Sequence, residues 1–324
     1  MSKKVYCVVD IGGTKTLLLL IDQKRQVLFR DKYATPGGVK PEQLAGAIQT
    51  SAAAALKQSG LVAAQLAGLG VCVAALVDYE HGCIYQSPNL GWYQPVDFKS
   101  ILQKGLTCPV YLDNDANAAV LGEVYYGAAR GHRDVVYVTI STGIGGGLYL
   151  DGKLYRGSGG FAGEIGHIKP FGQGRRCGCG GMDCLEAWAG GTAISRSASL
   201  LWDARESTAA ISTAWVFDQA EAGNPLAQTL ISRAEFTIST GLANMVTLLN
   251  PSCLVIGGSI AANRAQFLAQ IREQIYRIAI APSVEATRVE VVAALLEPEA
   301  GVWGMYALMQ NENGGDVDGA AGVD

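Results

Sequence analysis

The sequence has no excess of basic residues and no long apolar run, and both absences narrow its function. Its 25 lysines and arginines are outnumbered by 29 aspartates and glutamates, for a formal net charge of −4. This balance provides no basic field for nucleic acid or an anionic membrane surface. No apolar stretch approaches the roughly 20 residues of a membrane-spanning helix. The apolar run after Lys4 stops at Asp10, too early for a secretory signal. We therefore expect a cytoplasmic protein with neither nucleic-acid nor membrane partners.

Histidine is scarce, with three residues in the chain, but one of them precedes the densest group of cysteines. His167 is followed by Cys177, Cys179 and Cys184, which is ligand spacing for a tetrahedral zinc ion. The alternative is an ordinary polar histidine with free thiols. With four protein ligands the zinc would be structural, and Glu164 and Glu186 beside it would be offered to a polar ligand. The other five cysteines are scattered through apolar segments and are typical of buried thiols in a reducing cytosol.

The remaining sequence alternates strand-like and helix-like segments, which predicts an α/β fold with largely parallel sheets. One pattern occurs twice: a strand, a glycine-rich turn, a strand, an Asp-x-Lys turn and a third strand. It spans Asp10 to Asp22 and again Thr139 to Asp151, at the same spacing. We interpret it as an internal duplication, with two domains of one topology that each open with a hairpin.

Glycine-rich turns supply the first candidate binding sites. Residues 10–15 and 141–147 join strands in hairpins, where glycine lets backbone N–H groups approach an anion and where Thr14 and Thr142 add hydroxyls. They could be simple tight hairpins or a phosphate clamp between the domains, in which Asp10 would suit a water-bridged Mg²⁺. Gly257 and Gly258 end a strand, either as a strand-to-helix turn or as a flat surface under an adenine.

The segment Asp113-Asn114-Asp115 ends one predicted strand and begins a helix. Ligands of open α/β sheets bind at that end of the strands. One of the three side chains is expected to cap the helix. A second carboxylate exceeds what capping requires, and it would suit a general base that takes a proton from a hydroxyl while Asn114 holds a neighbouring one.

These motifs together resemble the ROK family (repressors, open reading frames and kinases), and the glucokinase branch of its bacterial sugar kinases. The motifs are Asp10 to Lys15, Asn114 to Ala118, Glu164 to His167 and the loop from Cys177 to Glu186, in that order. The resemblance implies an actin-like ATPase (ribonuclease H-like) duplicated fold, with two domains around a cleft. We expect a smaller domain over residues 1–113, completed by a helix at 301–310. A larger domain over 114–300 would carry the zinc loop, and residues 311–324 would form a disordered tail.

The resemblance also implies roles by position. Asp115 would be the base on a sugar hydroxyl, usually O6. The other sugar hydroxyls would be held by Asn89, Asn114, Glu164, His167 and Glu186, with His167 also a zinc ligand. The phosphates of ATP would contact Gly12, Gly13, Thr14, Lys15, Thr142 and Gly143, and the adenosine Gly257 and Gly258. The expected cofactors are ATP, Mg²⁺ and structural Zn²⁺, and the family suggests a homodimer.

Three functions remain to be separated. The first is an ATP-dependent hexose kinase, with glucose as the leading substrate, N-acetylglucosamine or N-acetylmannosamine next, and fructose behind. The second is a sugar-responsive transcriptional regulator, which we disfavour because the first strand begins at Val5 and leaves no room for a DNA-reading helix. The third is a catalytically dead sugar sensor, but Asp115 and both glycine turns are intact.

Overall fold

The computed structural model describes residues 4–202, 211–286 and 288–312. They form two compact units, of which the first comprises residues 4–131, 152–162 and 298–312 and the second residues 132–151 and 163–297. Residues 114–131 therefore lie with the first unit, whereas the sequence prediction assigned them to the second domain. None of the helices in these ranges combines the length and the apolar composition needed to cross a bilayer.

The first unit is built on a five-stranded sheet with the order β3-β2-β1-β4-β7. β1, β2 and β3 are antiparallel, whereas β4 and β7 continue the sheet in parallel with β1. Its strands are β1 (Val5–Ile11), β2 (Lys15–Asp22), β3 (Val27–Ala34), β4 (Leu66–Val73), β5 (Leu76–Asp78), β6 (Cys83–Gln86) and β7 (Val110–Asn114). β5 and β6 pair separately as a small hairpin. The side chains of β1 are buried except for the partly exposed Asp10, as expected for a strand covered on both faces.

Helices α1 (Pro41–Gln58), α2 (Phe98–Gln103) and α3 (Asp115–Tyr126) follow within the first unit. α1 buries a stripe with helical spacing that includes Leu44, Ile48 and Ala52, which is why this alanine-rich segment packs as a helix. The buried core of the unit contains these residues together with the apolar side chains of β1 and β4.

The second unit contains a five-stranded sheet with the order β10-β9-β8-β11-β12. β8 and β9 are antiparallel, and β11 and β12 run parallel to β8. Its strands are β8 (Val135–Ile140), β9 (Ile144–Leu150), β10 (Lys153–Leu154), β11 (Cys253–Gly257) and β12 (Glu290–Ala293). Its helices are α4 (Leu185–Ala189), α5 (Gly191–Leu201), α6 (Thr213–Glu221), α7 (Pro225–Leu249), α8 (Ala265–Ile278) and α9 (Ala281–Glu285).

The two sheets have the same strand order and directions, which confirms the predicted duplication. In each sheet the opening hairpin is followed by two parallel strands on the side of its first strand. The hairpin turns lie at equivalent places but differ in length, since the last paired residues are Ile11 with Thr16 in one sheet, with four residues between them, and Ile140 with Ile144 in the other, with three. The mixed α/β architecture predicted from the alternating pattern is therefore correct.

Helix α10 (Ala300–Glu312) packs against α3 within the first unit. Two glycines allow the close crossing. A β-carbon on Gly304 would overlap the carbonyl of Ala118, and one on Gly122 would overlap the carbonyl of Ala300. α10 is buried at most of its positions, so this crossing is part of the core of the unit.

Backbone geometry sets the limits of three elements. The segment from Leu185 to Leu201 forms two helices, α4 and α5, because the chain is extended at Gly190 (φ −66°, ψ 157°). The short strand β10 ends at Leu154. α10 continues through Glu312, so the first two residues of the predicted disordered tail are helical. Residues 313–324 of that tail lie outside the described residues.

Candidate functional site

The first glycine turn connects β1 to β2 and is closed by a hydrogen bond from the Gly12 amide to the Lys15 carbonyl (3.0 Å). Asp10, just before the turn, lies opposite Cys72 of the parallel strand β4. A β-carbon on Gly301, in the first turn of α10, would lie 3.4 Å from Asp10 Oδ2. A carboxylate beside a helix N-terminus is stabilised by the unpaired amides there.

The carboxylates of Asp10 and Asp115, both predicted to be functional, lie at one edge of the first sheet, near the thiol of Cys72. Burial, followed by the negative charges of Asp10 and Asp115, raises the pKa of this thiol well above its ordinary value. Asp10 is the second-last residue of β1, and Asp115 begins the helix that follows β7. The parallel strands therefore bring both residues to the carboxyl edge of the first sheet. The ligand-binding edge predicted for this fold therefore carries the candidate Mg²⁺ ligand and the candidate base.

Asn114 is the N-cap of α3, as expected for one residue of this trio. Its side-chain oxygen accepts hydrogen bonds from the amides of Ala116 (2.8 Å) and Asn117 (3.0 Å), and its amide group donates to the carbonyl of Ala75 (3.0 Å). These contacts fix the side chain through both ends of its amide. A donor N–H on the same group is still left for a further acceptor, since a primary amide has two.

Asp115 is the first residue of α3 and is partly buried. Burial raises the pKa of its carboxyl above the ordinary aspartate value, and a hydrogen bond from its neighbour's amide, Ala116 (3.0 Å), opposes that shift. A carboxylate with a raised pKa is a better proton acceptor than an ordinary aspartate, which is the property required of a general base.

Asp113 is held by a residue that the sequence analysis did not select. Its side chain is almost completely buried (1% exposed), and its Oδ2 accepts hydrogen bonds from Arg156 Nε (3.0 Å) and Nη2 (2.6 Å). The guanidinium of Arg156 also stacks on the ring of Tyr79, 3.8 Å from its centre. Asp113 Oδ1 accepts from the amide of Asn114 (2.8 Å) and the side chain of Asn117 (3.1 Å). Asp113 therefore supports the turn that carries Asn114 and Asp115.

Asn89 lies against the first glycine turn, within the first unit. It is in a short 3-10 helix, Pro88–Leu90, and a β-carbon on Gly13 would be 3.1 Å from its Cγ. A candidate sugar ligand and a candidate phosphate-binding glycine are thus neighbours. Lys15 is exposed and lines a groove of about 200 Å³ with Asp10, Arg30, Lys32 and Glu299.

The second glycine turn joins β8 to β9 and contacts the start of α5. The carbonyls of Ser141 and Thr142 accept hydrogen bonds from the amides of Gly191 and Thr192, each 2.9 Å long. On the other side, the amide of Ile144 donates to Glu186 Oε2 (2.9 Å). Glu186 is the second residue of α4 and follows Cys184, the last cysteine of the loop, by two positions.

The predicted adenosine glycines are closely packed. Gly258 has a left-handed backbone (φ 89°), and a β-carbon there would overlap the backbone of Ile140, so only glycine fits. Its amide donates to Glu297 Oε1 (2.7 Å), which also accepts from the hydroxyl of Tyr137 (2.9 Å). This packing explains why a glycine occupies position 258 in a strand-to-helix turn. The same geometry is compatible with a flat surface under an adenine.

The four predicted zinc ligands come together in the second unit. The donor atoms of His167, Cys177, Cys179 and Cys184 lie within 4.8 Å of one another. Cys179 Sγ and Cys184 Sγ are 3.7 Å apart, which matches the edge of a tetrahedron with metal–sulfur bonds of about 2.3 Å. One imidazole and three thiols are also the donor set that zinc prefers, so the residues present fit a structural zinc ion.

His167 is orientated for this role. Its Nδ1 lies 3.9 Å from Cys177 Sγ, and its Nε2 faces Glu164 Oε2 at 3.8 Å. A metal-bound histidine commonly directs its other nitrogen to a carboxylate, which fixes the ring. The loop is further held by Asp183, whose carboxylate accepts from the amides of Gly174 (2.9 Å) and Arg175 (2.7 Å). Arg175 itself lies over Trp188, 4.9 Å from its ring centre.

Comparison with known families agrees with these motifs, since residues 6–312 match the ROK family. The chain belongs to the ROK family. A glucokinase of Streptomyces coelicolor is 32% identical over 309 residues, which cover 91% of this chain and 94% of that protein. A xylose repressor of Caldicellulosiruptor bescii is 28% identical, over 93% of this chain and 77% of the repressor.

A solved structure shows the same fold with ligands bound. The ROK family glucokinase of Streptomyces griseus, in complex with glucose and AMPPNP, superposes with a TM-score of 0.79. The two sequences are 31% identical, and the superposition covers 95% of this chain and 99% of that one. Family and fold, as expected from the motifs, are therefore confirmed.

Proposed function

We propose that this ROK protein transfers the γ-phosphoryl group of ATP to a hydroxyl of a hexose, with Asp115 as the general base. The observation that carries the proposal is the position of Asp115 at the carboxyl edge of the first sheet, where burial raises the pKa of its carboxyl. The carboxylates of Asp10 and Asp115 both act on the thiol of Cys72 at this edge. Phosphoryl transfer depends on positioning and charge stabilisation, and these residues provide a base beside a metal-binding carboxylate.

The nucleotide is assigned to the two glycine turns and to the end of β11. Backbone amides and hydroxyls of the turns bind the phosphates, while Asp10 binds Mg²⁺ through water. Mg²⁺ would neutralise charge on the phosphates. The residues in these roles are Gly12, Gly13, Thr14, Lys15, Thr142 and Gly143 for phosphate and Gly257 and Gly258 for adenosine. The related Streptomyces griseus glucokinase, with AMPPNP bound, supports ATP as the donor.

The hexose is assigned to polar side chains that include the zinc loop. Asn89, Asn114, Glu164, His167 and Glu186 hold its hydroxyls, and Asp115 accepts the proton from the attacking hydroxyl, O6, as that oxygen bonds to phosphorus. The zinc ion shapes the loop and takes no part in the transfer. The glucokinase relatives favour glucose, with N-acetylglucosamine and N-acetylmannosamine as alternatives.

A panel of sugars tests this function directly. ADP release is measured with purified protein, ATP and Mg²⁺ against glucose, mannose, fructose, allose, N-acetylglucosamine and N-acetylmannosamine. We expect glucose to give the highest kcat/KM, and product analysis to locate the phosphate on O6; a higher value for N-acetylglucosamine or N-acetylmannosamine would support the alternative substrates. ADP release equal to the sugar-free background for every sugar would refute the kinase. Size-exclusion chromatography with light scattering of the same sample tests the proposed homodimer.

A second candidate, a sugar-responsive transcriptional regulator, is favoured by the relationship to the xylose repressor of Caldicellulosiruptor bescii. It differs from the kinase in one decisive respect, because it requires sugar binding without turnover. Tight binding of a sugar by calorimetry, combined with no ADP release, would support this candidate. Turnover with a hexose supports the kinase.

A further inference from the structure

The carboxylate of Glu186 reaches two places in the second unit at once. Its Oε2 accepts the hydrogen bond from the Ile144 amide (2.9 Å), and its Oε1 lies 4.0 Å from Cys177 Sγ. Ile144 directly follows Thr142 and Gly143 in the second glycine turn. One side chain therefore touches both the cysteine cluster and the turn that the proposed function assigns to phosphate.

Gly143 is the residue that leaves room for this carboxylate. A β-carbon at position 143 would overlap Glu186 Oε2 and lie 3.1 Å from its Cδ, and its three nearest neighbours all belong to that side chain. The φ of Gly143 is not in the left-handed region, so the backbone alone does not require glycine. The glycine is needed because of Glu186.

The turn itself has little freedom to move away from Glu186. The carbonyls of Ser141 and Thr142 are held by the first amides of α5 at 2.9 Å. A β-carbon on Gly190, between α4 and α5, would lie 2.9 Å from the Glu186 carbonyl and 3.3 Å from the Thr142 carbonyl, so the backbones are already close. An added methyl group at position 143 is therefore accommodated by displacing the end of the Glu186 side chain.

We propose that Gly143 is a positioning residue for the sugar, acting through Glu186. This proposal rests on the proposed function, which assigns Glu186 to a sugar hydroxyl. The second glycine turn then sets the place of a sugar-binding carboxylate in addition to binding phosphate. Substitution of a glycine that served phosphate alone would change the affinity for the nucleotide only. Substitution of Gly143 is expected to lower the affinity for the hexose as well.

The variant Gly143→Ala separates the two roles. The dissociation constant of D-glucose and of N-acetylglucosamine is measured by calorimetry without nucleotide, and the KM for ATP by ADP release. We expect the affinity of the better sugar to fall by about tenfold to a hundredfold, the effect of losing a hydrogen bond to a charged group. Because Gly143 is also assigned to phosphate, its substitution can raise the KM for ATP as well, and the sugar affinity measured without nucleotide is therefore the deciding measurement.

The matched control is Gly172→Ala, because an added β-carbon there meets nothing within 4 Å and position 172 is exposed. This variant should bind sugar as the wild type does. An unchanged sugar affinity in Gly143→Ala, whatever its KM for ATP, would overturn the positioning role and leave the kinase intact. Wild-type protein that binds neither sugar and shows no turnover would overturn the kinase and this proposal together.

A double-mutant cycle with Glu186→Ala tests whether Gly143 acts through this side chain. In the Glu186→Ala background there is no carboxylate to displace, so adding Gly143→Ala should change sugar affinity by less than about twofold. Independent, multiplying effects would contradict the proposal. Zinc content by mass spectrometry and the melting temperature report the fold. If Gly143→Ala alone does not fold, the double variant must fold, and its failure would also overturn the proposal.

Discussion

Asp115 is the proposed general base, and its ionised carboxylate lowers the stability of the folded protein because it is partly buried. Its ionised carboxylate is partly removed from water, which is why its pKa is raised, and a base in this position takes up a proton readily. The geometry around it is set by Asn114 and Asp113, whose hydrogen bonds hold the first turn of α3. Removing the charge at position 115 should therefore affect catalysis and stability in opposite directions.

We expect Asp115→Asn to lower kcat by about 10²- to 10⁴-fold, the usual contribution of a general base. Sugar binding by calorimetry should survive, because Asn keeps the shape of the side chain. The melting temperature at neutral pH should rise, since a buried negative charge is gone. The control Asp31→Asn changes an exposed carboxylate and should leave kcat unchanged. Wild-type turnover in Asp115→Asn would exclude this residue as the base.

The pH dependence of kcat should report the same carboxyl group. As the proposed base, Asp115 acts in its ionised form, so we expect the rate to fall as pH decreases through the pKa of Asp115. Because burial raises that pKa, the acidic limb should lie at higher pH than an ordinary aspartate would give. Stability has the opposite sign, since the protonated form is favoured by folding and its contribution is lost as pH rises through the same pKa. An acidic limb at or below the ordinary aspartate value would contradict this account.

At the scale of single residues, the sequence identified the side chains but not their partners. Asp115 and Asn114 were recognisable because a strand end followed by a helix start is a local pattern. Arg156 was not, because the partner that explains it, Asp113, is distant in the chain and the pair meets only when the first unit forms. The contact of Glu186 with the Ile144 amide likewise depends on how α4 packs beside β9.

The crossing of α3 and α10 depends on two glycines, Gly122 and Gly304. A methyl group on Gly304 would overlap the backbone of Ala118, which cannot rotate away as a side chain could. We expect Gly304→Ala to reduce the free energy of unfolding by about 1–3 kcal/mol or more, as overpacking does. Urea unfolding followed by circular dichroism measures this change.

Gly46→Ala is the control for that experiment. Gly46 also lies within a helix, α1, but an added β-carbon there meets nothing within 4 Å. It should stabilise the protein by about 0.5–1 kcal/mol, because alanine favours the helix. Equal effects at the two positions would show that the tight crossing has no energetic importance.

Element limits were predictable where a local signal marks them and not where packing decides. The limits of α7 carry local signals, since Pro225 opens it and the polar Asn250, which is left-handed in the structure, closes it. The pair Gly190-Gly191 does mark a break in the sequence, but it does not show that the chain is extended at Gly190. The extended conformation arises because the backbone must pass close to Glu186 and the second glycine turn.

At the scale of the molecule, all four proposed zinc ligands belong to one unit, and this limits the expected effect of removing the metal. We expect chelation, or Cys179→Ser, to abolish zinc and sugar binding together. Hydrogen exchange by mass spectrometry should increase in residues 163–190, while β1 and β4 of the first unit keep their protection. Unchanged zinc content in Cys179→Ser would refute this ligand set.

The duplication was visible in the sequence because Asp10 to Asp22 in one copy and Thr139 to Asp151 in the other have the same spacing. The composition of the units has no such local signal. The expectation that a helix at 301–310 completes the first domain came from the family resemblance alone, and residues 152–162 were not expected in that unit. No local pattern records which core a buried helix such as α10 completes.

The tight seat of α10 on α3 also has a consequence for how the protein is made. On the ribosome the N-terminal residues emerge first, and domains usually fold in that order. Here the first unit cannot fill its core until residues 300–312 have been synthesised, after the whole of the second unit. The second unit can therefore fold first. Until α10 is synthesised, the surface around Gly122 in the first unit stays exposed, and chaperones would bind the chain at this stage.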